Sequence, residues 1–295
     1  MKAAFDAGQY LWNGGDFYGT EEYNSLHLLA AYFDKYPEDA DKVVISIKSG
    51  LTAQHTIDGS AAYVKNRVEN SLGLLDGKKK IDIFEWARIP DNVDFWTETL
   101  PTLQKYVDEG KIGSVGLSEV SAKTIRRAAQ ITKISSVEVE LSLWSTDILT
   151  NGVAEACGEL NIPITAYSPM GRGMLTGQIK SADDIPEGDF RKFVPRFLPE
   201  NFDLNIKLVH RLEEVAKSHG CTPGQLSLAW VRQACKDIKG TPEVIPIPGA
   251  SSKERILENA KVVKLDGQAL KDIEKILSEV EVVGRRYPEH MALEG

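Results

Sequence analysis

The fold class is decided by residues 42–87, where KVVISIK (42–48) is a short β-branched run and KIDIFEWA (80–87) is another. Between them, AAYVKNRVENSLGLL (61–75) has the apolar spacing of an amphipathic helix. A strand, a helix and a second strand in this order are typical of a parallel sheet with crossover helices. The same alternation continues in both directions, and the further strand candidates are QYLWN (9–13), GSVGLS (113–118), SVEVEL (136–141), PITAYSP (163–169) and EVIPIPG (243–249).

Longer amphipathic segments separate these strands. They are EEYNSLHLLAAYFDKY (21–36), FWTETLPTLQKYVDEG (95–110), AKTIRRAAQI (122–131), NGVAEACGEL (151–160), LVHRLEEVAKSHG (208–220) and QLSLAWVRQAC (225–235). Capping-box spacing at Thr222 and Gln225, and at Ser251 and Glu254, predicts two helix starts. DGQALKDIEKILSEVEVV (266–283) and the tail that follows lie beyond the strand pattern, and we expect them to pack across the barrel.

This rhythm favours an α/β fold of the (β/α)8 TIM barrel type over a doubly wound domain, and no GxGxxG follows any strand. A closed barrel needs eight strands, whereas seven are found. The opening MKAAFDAG (1–8) reads as the end of a helix. We therefore predict that the first strand is lacking in this chain, through a late start, rather than that the barrel is open with unpaired backbone groups.

Composition and net charge exclude several classes of protein and of binding partner. The chain has 295 residues, 42% hydrophobic and 26% charged, with a net charge of −8, which excludes intrinsic disorder. The negative charge predicts neither nucleic acid nor membrane as a partner. Cys157, Cys221 and Cys235 lack C-x-x-C spacing, so we expect reduced thiols and no metal site. Without a membrane span or signal-peptide core in the sequence, a cytoplasmic location is expected.

The carboxyl ends of barrel strands carry the chemistry of such folds. Lys48 ends an apolar strand, where an ammonium is costly to bury without a task, and Tyr18 lies in the glycine-flanked loop after the first detected strand. A cation beside a phenol favours the phenolate, so we expect Lys48 to lower the pKa of Tyr18 from its ordinary value of about 10. Tyr18 is then a general acid candidate. The turn-rich segment 181–199 is expected to be a surface loop near the ligand.

These strand ends resemble the aldo-keto reductases, which are NAD(P)H-dependent barrel enzymes. The resemblance is carried by NGGDFYG (13–19), VVISIKSG (43–50), VGLSEVS (115–121), AYSPMGRGMLTG (166–177) and IPIPGASSKERILENA (245–260). It implies one barrel domain over residues 1–295, incomplete at its N-terminus. It also implies that Tyr18 donates the proton and that Lys48 tunes its pKa.

The resemblance implies NADPH as the cofactor. Tyr167 would stack on the nicotinamide, and Ser118 and Glu138 would hold its carboxamide. The adenosine and 2′-phosphate end would lie against Gly249, Ala250, Ser251, Ser252, Arg255, Glu258 and Asn259, and the residues after strand six that complete the cofactor site are Ser168, Pro169 and Gly171. Independently, Ser251 and Ser252 open a helix whose free amides favour an anion, and Arg255 follows one turn later.

Departures from the family pattern identify a branch. Asn13 stands where the family has its catalytic aspartate, and Ala87 where it has its catalytic histidine. Glu119 replaces the usual asparagine and Glu138 the usual glutamine. NGGDFYG, FEWAR (84–88) and VEVELSLWS (137–145) resemble the pyridoxal reductase branch of vitamin B6 metabolism, which also lacks that aspartate and histidine. We expect Lys48 to be without an ion pair, because Asn13 keeps hydrogen-bonding capacity but no charge.

The predicted function is NADPH-dependent reduction of an aldehyde, pyridoxal to pyridoxine first of all. Three alternatives stay open: a general aldehyde or ketone reductase, a low-turnover NADPH-binding regulatory subunit, and a barrel lyase or isomerase for a phosphorylated metabolite. The oligomeric state is not readable from the sequence.

Overall fold

A single parallel sheet organises the protein, whose computed structural model describes residues 1–54 and 56–289. Its strands are paired in chain order from β1 to β7, as in a barrel wall. They are β1 Leu11–Gly15, β2 Val44–Ser49, β3 Ile81–Trp86, β4 Ile112–Ser118, β5 Ile134–Glu140, β6 Ile164–Tyr167 and β7 Val244–Pro246. All seven predicted strands and the α/β barrel class are confirmed. Within the described residues no eighth strand joins β7 to β1.

Helices lie between the strands as crossovers, and others precede the first strand or follow the last. They are α1 Lys2–Asp6, α2 Ser25–Lys35, α3 Ala61–Leu75, α4 Leu100–Asp108, α5 Ala122–Ala128, α6 Val153–Glu159, α7 Pro199–Ser218, α8 Pro223–Val231, α9 Lys253–Ala260 and α10 Gly267–Glu279. The Thr222 hydroxyl accepts from the backbone N–H of Gln225, which confirms the capping box that begins α8. The second predicted box is wrong, because Ser252 rather than Ser251 caps α9, through the N–H of Arg255.

Strand register gathers polar side chains inside an apolar shell. Lys48 of β2 lies opposite Glu85 of β3, and Ser118 of β4 lies opposite Glu138 of β5. Neighbours in register on parallel strands point to the same face, so these four side chains share the barrel interior. The buried apolar side chains of strands and helices form a continuous cluster around them.

The segments beyond the strand pattern cover one side and the mouth of the barrel. Helix α10 buries Ala269, Ile273 and Ile276 and packs on α7. The chain then returns to the carboxyl ends of the strands. Arg286 contacts Glu119, which follows β4, and Glu140 of β5, and Tyr287 contacts Tyr167 of β6. Residues 290–295 of the predicted tail lie outside the described residues. The predicted surface loop 181–199 consists of short 3-10 turns. In the described part of the chain, no helix combines the length and apolar character that crossing a membrane requires.

Candidate active site

A large cavity opens at the carboxyl ends of the strands. Its volume of about 1640 Å³ exceeds the roughly 300–1,000 Å³ of ordinary small-molecule pockets, so it can hold two ligands side by side. Strand-end residues on its wall are Asn13, Lys48, Ala87, Ser118, Glu138 and Tyr167, and the loop 181–199 adds Asp184, Pro186, Phe190 and Arg191.

Tyr18 and Lys48 meet in this cavity. The Lys48 Nζ lies 3.5 Å from the Tyr18 hydroxyl oxygen. Local structure places the phenol: the Tyr18 backbone N–H donates to the Gly15 carbonyl, and the ring lies against Gly15, where an added Cβ would sit 3.0 Å from the ring. Asp16 anchors the same loop, since its carboxylate accepts from Arg67 at 2.8 Å and from Ser49 at 2.5 Å.

Two buried carboxylates flank the lysine. Lys48 Nζ forms ion pairs with Glu138 Oε1 and, at 3.2 Å, with Glu85 Oε1. The Asn13 amide donates to Glu138 Oε2 at 2.6 Å. The expectation that Lys48 has no ion pair is therefore wrong, because the Glu138 carboxylate of β5 supplies the charge that Asn13 does not.

These charges change the acidities of the cluster. Burial raises the pKa of the Tyr18 phenol, Lys48 opposes this, and Glu138 and Glu85 add to the increase. Lys48 acts in the predicted direction, but the expected net lowering of the pKa of Tyr18 is wrong, since burial and two carboxyl groups outweigh one ammonium. Burial alone would lower the pKa of Lys48, but Glu85 and Glu138 hold it above its ordinary value. Tyr18 and Lys48 are therefore both protonated at neutral pH.

Glu85 is the member of the cluster that the sequence analysis missed. Its burial and the repulsion from Glu138 raise its pKa to about 8, against the pull of Lys48. Its carboxyl oxygens are buried, and the groups that interact with them are Lys48 and Glu138. The available signal was a glutamate inside the apolar run KIDIFEWA, two residues before the position of Ala87.

The other strand ends carry hydrogen-bonding groups and one small residue. Arg88 donates to the Ser118 hydroxyl at 3.1 Å and to the Ala87 carbonyl at 2.5 Å. Ala87 itself is buried on the cavity wall and offers no polar side chain. The wall at this point is therefore small and apolar and is bordered by a guanidinium.

Tyr167 lies close to the lysine, with its ring centroid 5.9 Å from Lys48 Nζ, and its hydroxyl joins a second polar network. Its hydroxyl donates to Glu119 at 2.7 Å and lies 2.8 Å from the Tyr287 hydroxyl. Arg286 pairs with Glu119 at 3.0 Å and with Glu140 at 3.4 Å. Burial alone would raise the pKa of Glu119, but Arg286 holds it below its ordinary value. Glu119 is thus an ionised, paired carboxylate.

The predicted cofactor residues divide into two groups. Ser118, Glu138, Tyr167, Ser168, Pro169, Gly249, Arg255, Glu258 and Asn259 lie on the cavity wall. Gly171, Ala250, Ser251 and Ser252 are not on the wall that the described residues form: Gly171 packs against Trp144, while Ala250 and Ser251 are exposed. Arg255 donates to the Gln178 side chain at 3.2 Å.

Comparison with known proteins identifies the family. The sequence profile of the Aldo/keto reductase family matches residues 1–278, which is most of the chain. The chain belongs to the aldo/keto reductase family. Its relatives include the "Probable pyridoxal reductase 2" of Schizosaccharomyces pombe, 38% identical over 97% of this chain and 87% of that protein. The "Putative pyridoxal reductase" of Saccharomyces cerevisiae is 41% identical over 94% of this chain and 84% of that protein.

Further relatives support the same classification of this aldo/keto reductase. The S. pombe aldo-keto reductase yakc, whose name specifies NADP(+), is 37% identical over 97% of this chain and 83% of that protein. Among solved structures, the glycerol dehydrogenase AKR11B4 from Gluconobacter oxydans superposes with a TM-score of 0.82 at 22% identity, over 99% of this chain and 87% of that chain. At that identity the similarity shows the fold alone.

Proposed function

We propose that residues 1–295 form one barrel domain that reduces an aldehyde with NADPH, and that pyridoxal, which becomes pyridoxine, is a substrate. The observation that carries the proposal is the pair of Tyr18 and Lys48, 3.5 Å apart on the wall of the large cavity. Similarity to two pyridoxal reductases and to an NADP(+) aldo-keto reductase supports the substrate and the cofactor.

The residues on the wall suit a polyanionic dinucleotide. Arg88, Arg172, Arg191 and Arg255 all line the cavity of a chain whose net charge is −8. The buried Arg172 Nη1 has no hydrogen-bond partner among the described residues. Guanidinium groups bind phosphate with paired N–H donors, so this set fits a pyrophosphate and a 2′-phosphate.

Cofactor-binding roles follow the strand ends. Ser118 and Glu138 would hold the carboxamide. Each carboxylate oxygen of Glu138 has more than one lone pair, so it can accept from the carboxamide N–H and keep its other partners. Tyr167 would lie against the nicotinamide, with Ser168 and Pro169 beside it. The adenosine and 2′-phosphate would lie against Gly249, Ala250, Ser251, Ser252, Arg255, Glu258 and Asn259. When bound, NADPH supplies the hydride that reaches the aldehyde carbon.

The chain's own residues supply the proton. The Tyr18 O–H donates to the carbonyl oxygen as negative charge develops there, and the phenol oxygen becomes a phenolate beside the Lys48 ammonium. The ammonium stabilises that phenolate until a proton returns from solvent, which Tyr18 meets with 45% of its surface exposed. Ala87 leaves space for a flat ring next to the reacting group.

The test is NADPH oxidation, followed at 340 nm with pyridoxal. We expect turnover in the unchanged protein, a loss of at least about 100-fold in Tyr18→Phe, and retained NADPH binding, since general acid catalysis is worth about 10²–10⁴. Tyr23→Phe is the matched control, because Tyr23 lies on the same loop but is 64% exposed and off the cavity wall.

Other outcomes would reassign the protein. Turnover of other aldehydes but not of pyridoxal indicates a general reductase. Tight NADPH binding without reduction of any aldehyde indicates a regulatory subunit, and absence of binding to either nicotinamide cofactor contradicts the proposal.

We also propose a cytosolic location, supported by three cysteines that are all free thiols.

A further inference from the structure

Four strands bring one ammonium and two carboxylates together at the centre of the barrel. The side chains of Lys48, Glu85 and Glu138 are 7%, 1% and 3% exposed. Asn13 of β1 joins the cluster through its hydrogen bond to Glu138. Buried charges persist only when they are paired, so the contacts within this cluster decide its protonation and its geometry.

Gly116 makes room for the second carboxylate. It lies opposite Glu85 on the neighbouring strand β4. A Cβ at residue 116 would approach the Glu85 Cβ and Cγ to 3.2 Å and the Ile83 Cγ2 to 2.9 Å. The missing side chain at residue 116 therefore leaves space beside Glu85 on the side of β4, in the direction of Glu138 on β5.

The charge of the cluster depends on one proton. Lys48 with one ionised carboxylate is neutral, whereas ionisation of both carboxylates leaves a net negative charge beside Tyr18. The titratable groups that face Glu85 are Lys48 from β2, Glu138 from β5 and Tyr18 from the loop after β1, and β4 presents only Gly116. The raised pKa of Glu85, about 8, agrees with a cluster that holds one proton at neutral pH.

We infer that Glu138 is the positioning residue that gives Lys48 its counter-charge in place of a carboxylate at position 13, with Asn13 orienting Glu138 and Glu85 holding a spare proton. The inference rests on the proposed function, because it concerns how Lys48 is held next to the proton donor. Glu138 acts through Lys48 and Tyr18, so it is separate from the groups that react with the aldehyde.

The decisive experiment moves the negative charge from residue 138 to residue 13, which are the two partners of one hydrogen bond. Asn13 N–H donates to Glu138 in the native protein, and in Asn13→Asp/Glu138→Gln an amide at 138 can donate to a carboxylate at 13. The exchange keeps the shapes and the hydrogen bond and relocates one charge. Glu138→Gln alone leaves two amides. The surface change Glu159→Gln, at an exposed ion pair with Arg126, is the matched control.

We expect Glu138→Gln to lower kcat by about tenfold or more with a smaller change in KM, which corresponds to the loss of one well-placed interaction. In the unchanged protein kcat should decline above about pH 8, where Glu85 ionises and leaves a net negative charge beside Tyr18. In Glu138→Gln, Glu85 becomes the sole carboxylate partner of Lys48, so this decline disappears. The double variant is expected to recover most of the lost kcat and to regain the alkaline decline. Glu85→Gln should keep kcat below pH 8 and lose only that decline.

The inference is overturned if Glu138→Gln keeps the native kcat and pH profile, or if the double variant is no better than the single one. Circular dichroism establishes that each variant is folded. If Glu138→Gln does not fold, the double variant decides the question. A double variant that folds but shows no alkaline decline in kcat likewise contradicts the inference.

A second readout is independent of turnover. Ultraviolet titration of the Tyr18 phenol, taken as the difference between each protein and its Tyr18→Phe counterpart, should change in Glu138→Gln and return in the double variant. An unchanged titration overturns the inference even in a protein that reduces aldehydes. A protein that oxidises no NADPH but shows the change and its reversal contradicts the proposed function alone.

Discussion

Replacing Glu85 by glutamine should change how stability depends on pH. Glutamine has nearly the shape of the protonated acid and cannot ionise. Glu85 is fully buried, and its pKa rises from an ordinary value of 4.5 to about 8. A raised pKa in the folded state means that the folded protein binds a proton that the unfolded chain releases between these two values.

The direction in which stability changes with pH follows from this proton. The contribution of Glu85 to the free energy of unfolding is fully present below about pH 4.5 and is lost as the pH rises to about 8. Each pH unit in this interval costs up to about 1.4 kcal/mol, so the unchanged protein should lose on the order of 4 kcal/mol between pH 5 and pH 8 through this group. Glu85→Gln should be about as stable as the parent at pH 5 and clearly more stable at pH 8.

Urea unfolding followed by tryptophan fluorescence at several pH values measures the difference. The midpoint at constant slope reports the stability of each protein, and Glu159→Gln controls for the loss of an exposed glutamate. The reasoning is refuted if the difference between Glu85→Gln and the parent is the same at pH 5 and pH 8. It is also refuted if the variant becomes less stable, relative to the parent, as the pH rises.

Three further substitutions test other contacts. Arg286→Ala should destabilise the protein by about 3 kcal/mol at pH 7, because it leaves the Glu119 carboxylate buried and without its ion-pair partner. The pKa of Glu119 is lowered in the folded protein, so this cost should shrink in urea unfolding once the pH falls below the ordinary glutamate pKa of 4.5 and the carboxylate becomes protonated. A cost that does not depend on pH would contradict the ion pair between Arg286 and Glu119. Gly116→Ala should cost about 1–3 kcal/mol in the same assay through overlap with Ile83, and an unchanged midpoint would show that β4 can shift. Arg255→Ala should weaken NADPH about tenfold in a fluorescence titration and NADH much less, because only NADPH has a 2′-phosphate; equal losses would reject that contact.

Local pattern explains why so much of the fold could be predicted. Each strand and helix spans three to twenty residues and can be predicted locally, because burial on one face imposes a periodicity on the sequence. The cap of α8 can likewise be predicted from Thr222 and Gln225. The proximity of Tyr18 and Lys48 could also be predicted, since the carboxyl ends of parallel strands share one edge of the sheet. The capping position before α9 differed by one residue, because two adjacent serines offer equivalent side chains.

The amino-acid sequence by itself determined the alternation of elements, the barrel order of the strands and the residue types at the strand ends. Only the tertiary structure decided which charges pair: Lys48 with carboxylates from two different strands, and Glu119 with Arg286, 167 positions later in the chain. The physical reason is that periodicity is a property of neighbours along the chain, whereas an ion pair depends on strand register, on the space that Gly116 leaves, and on burial, which no local stretch specifies.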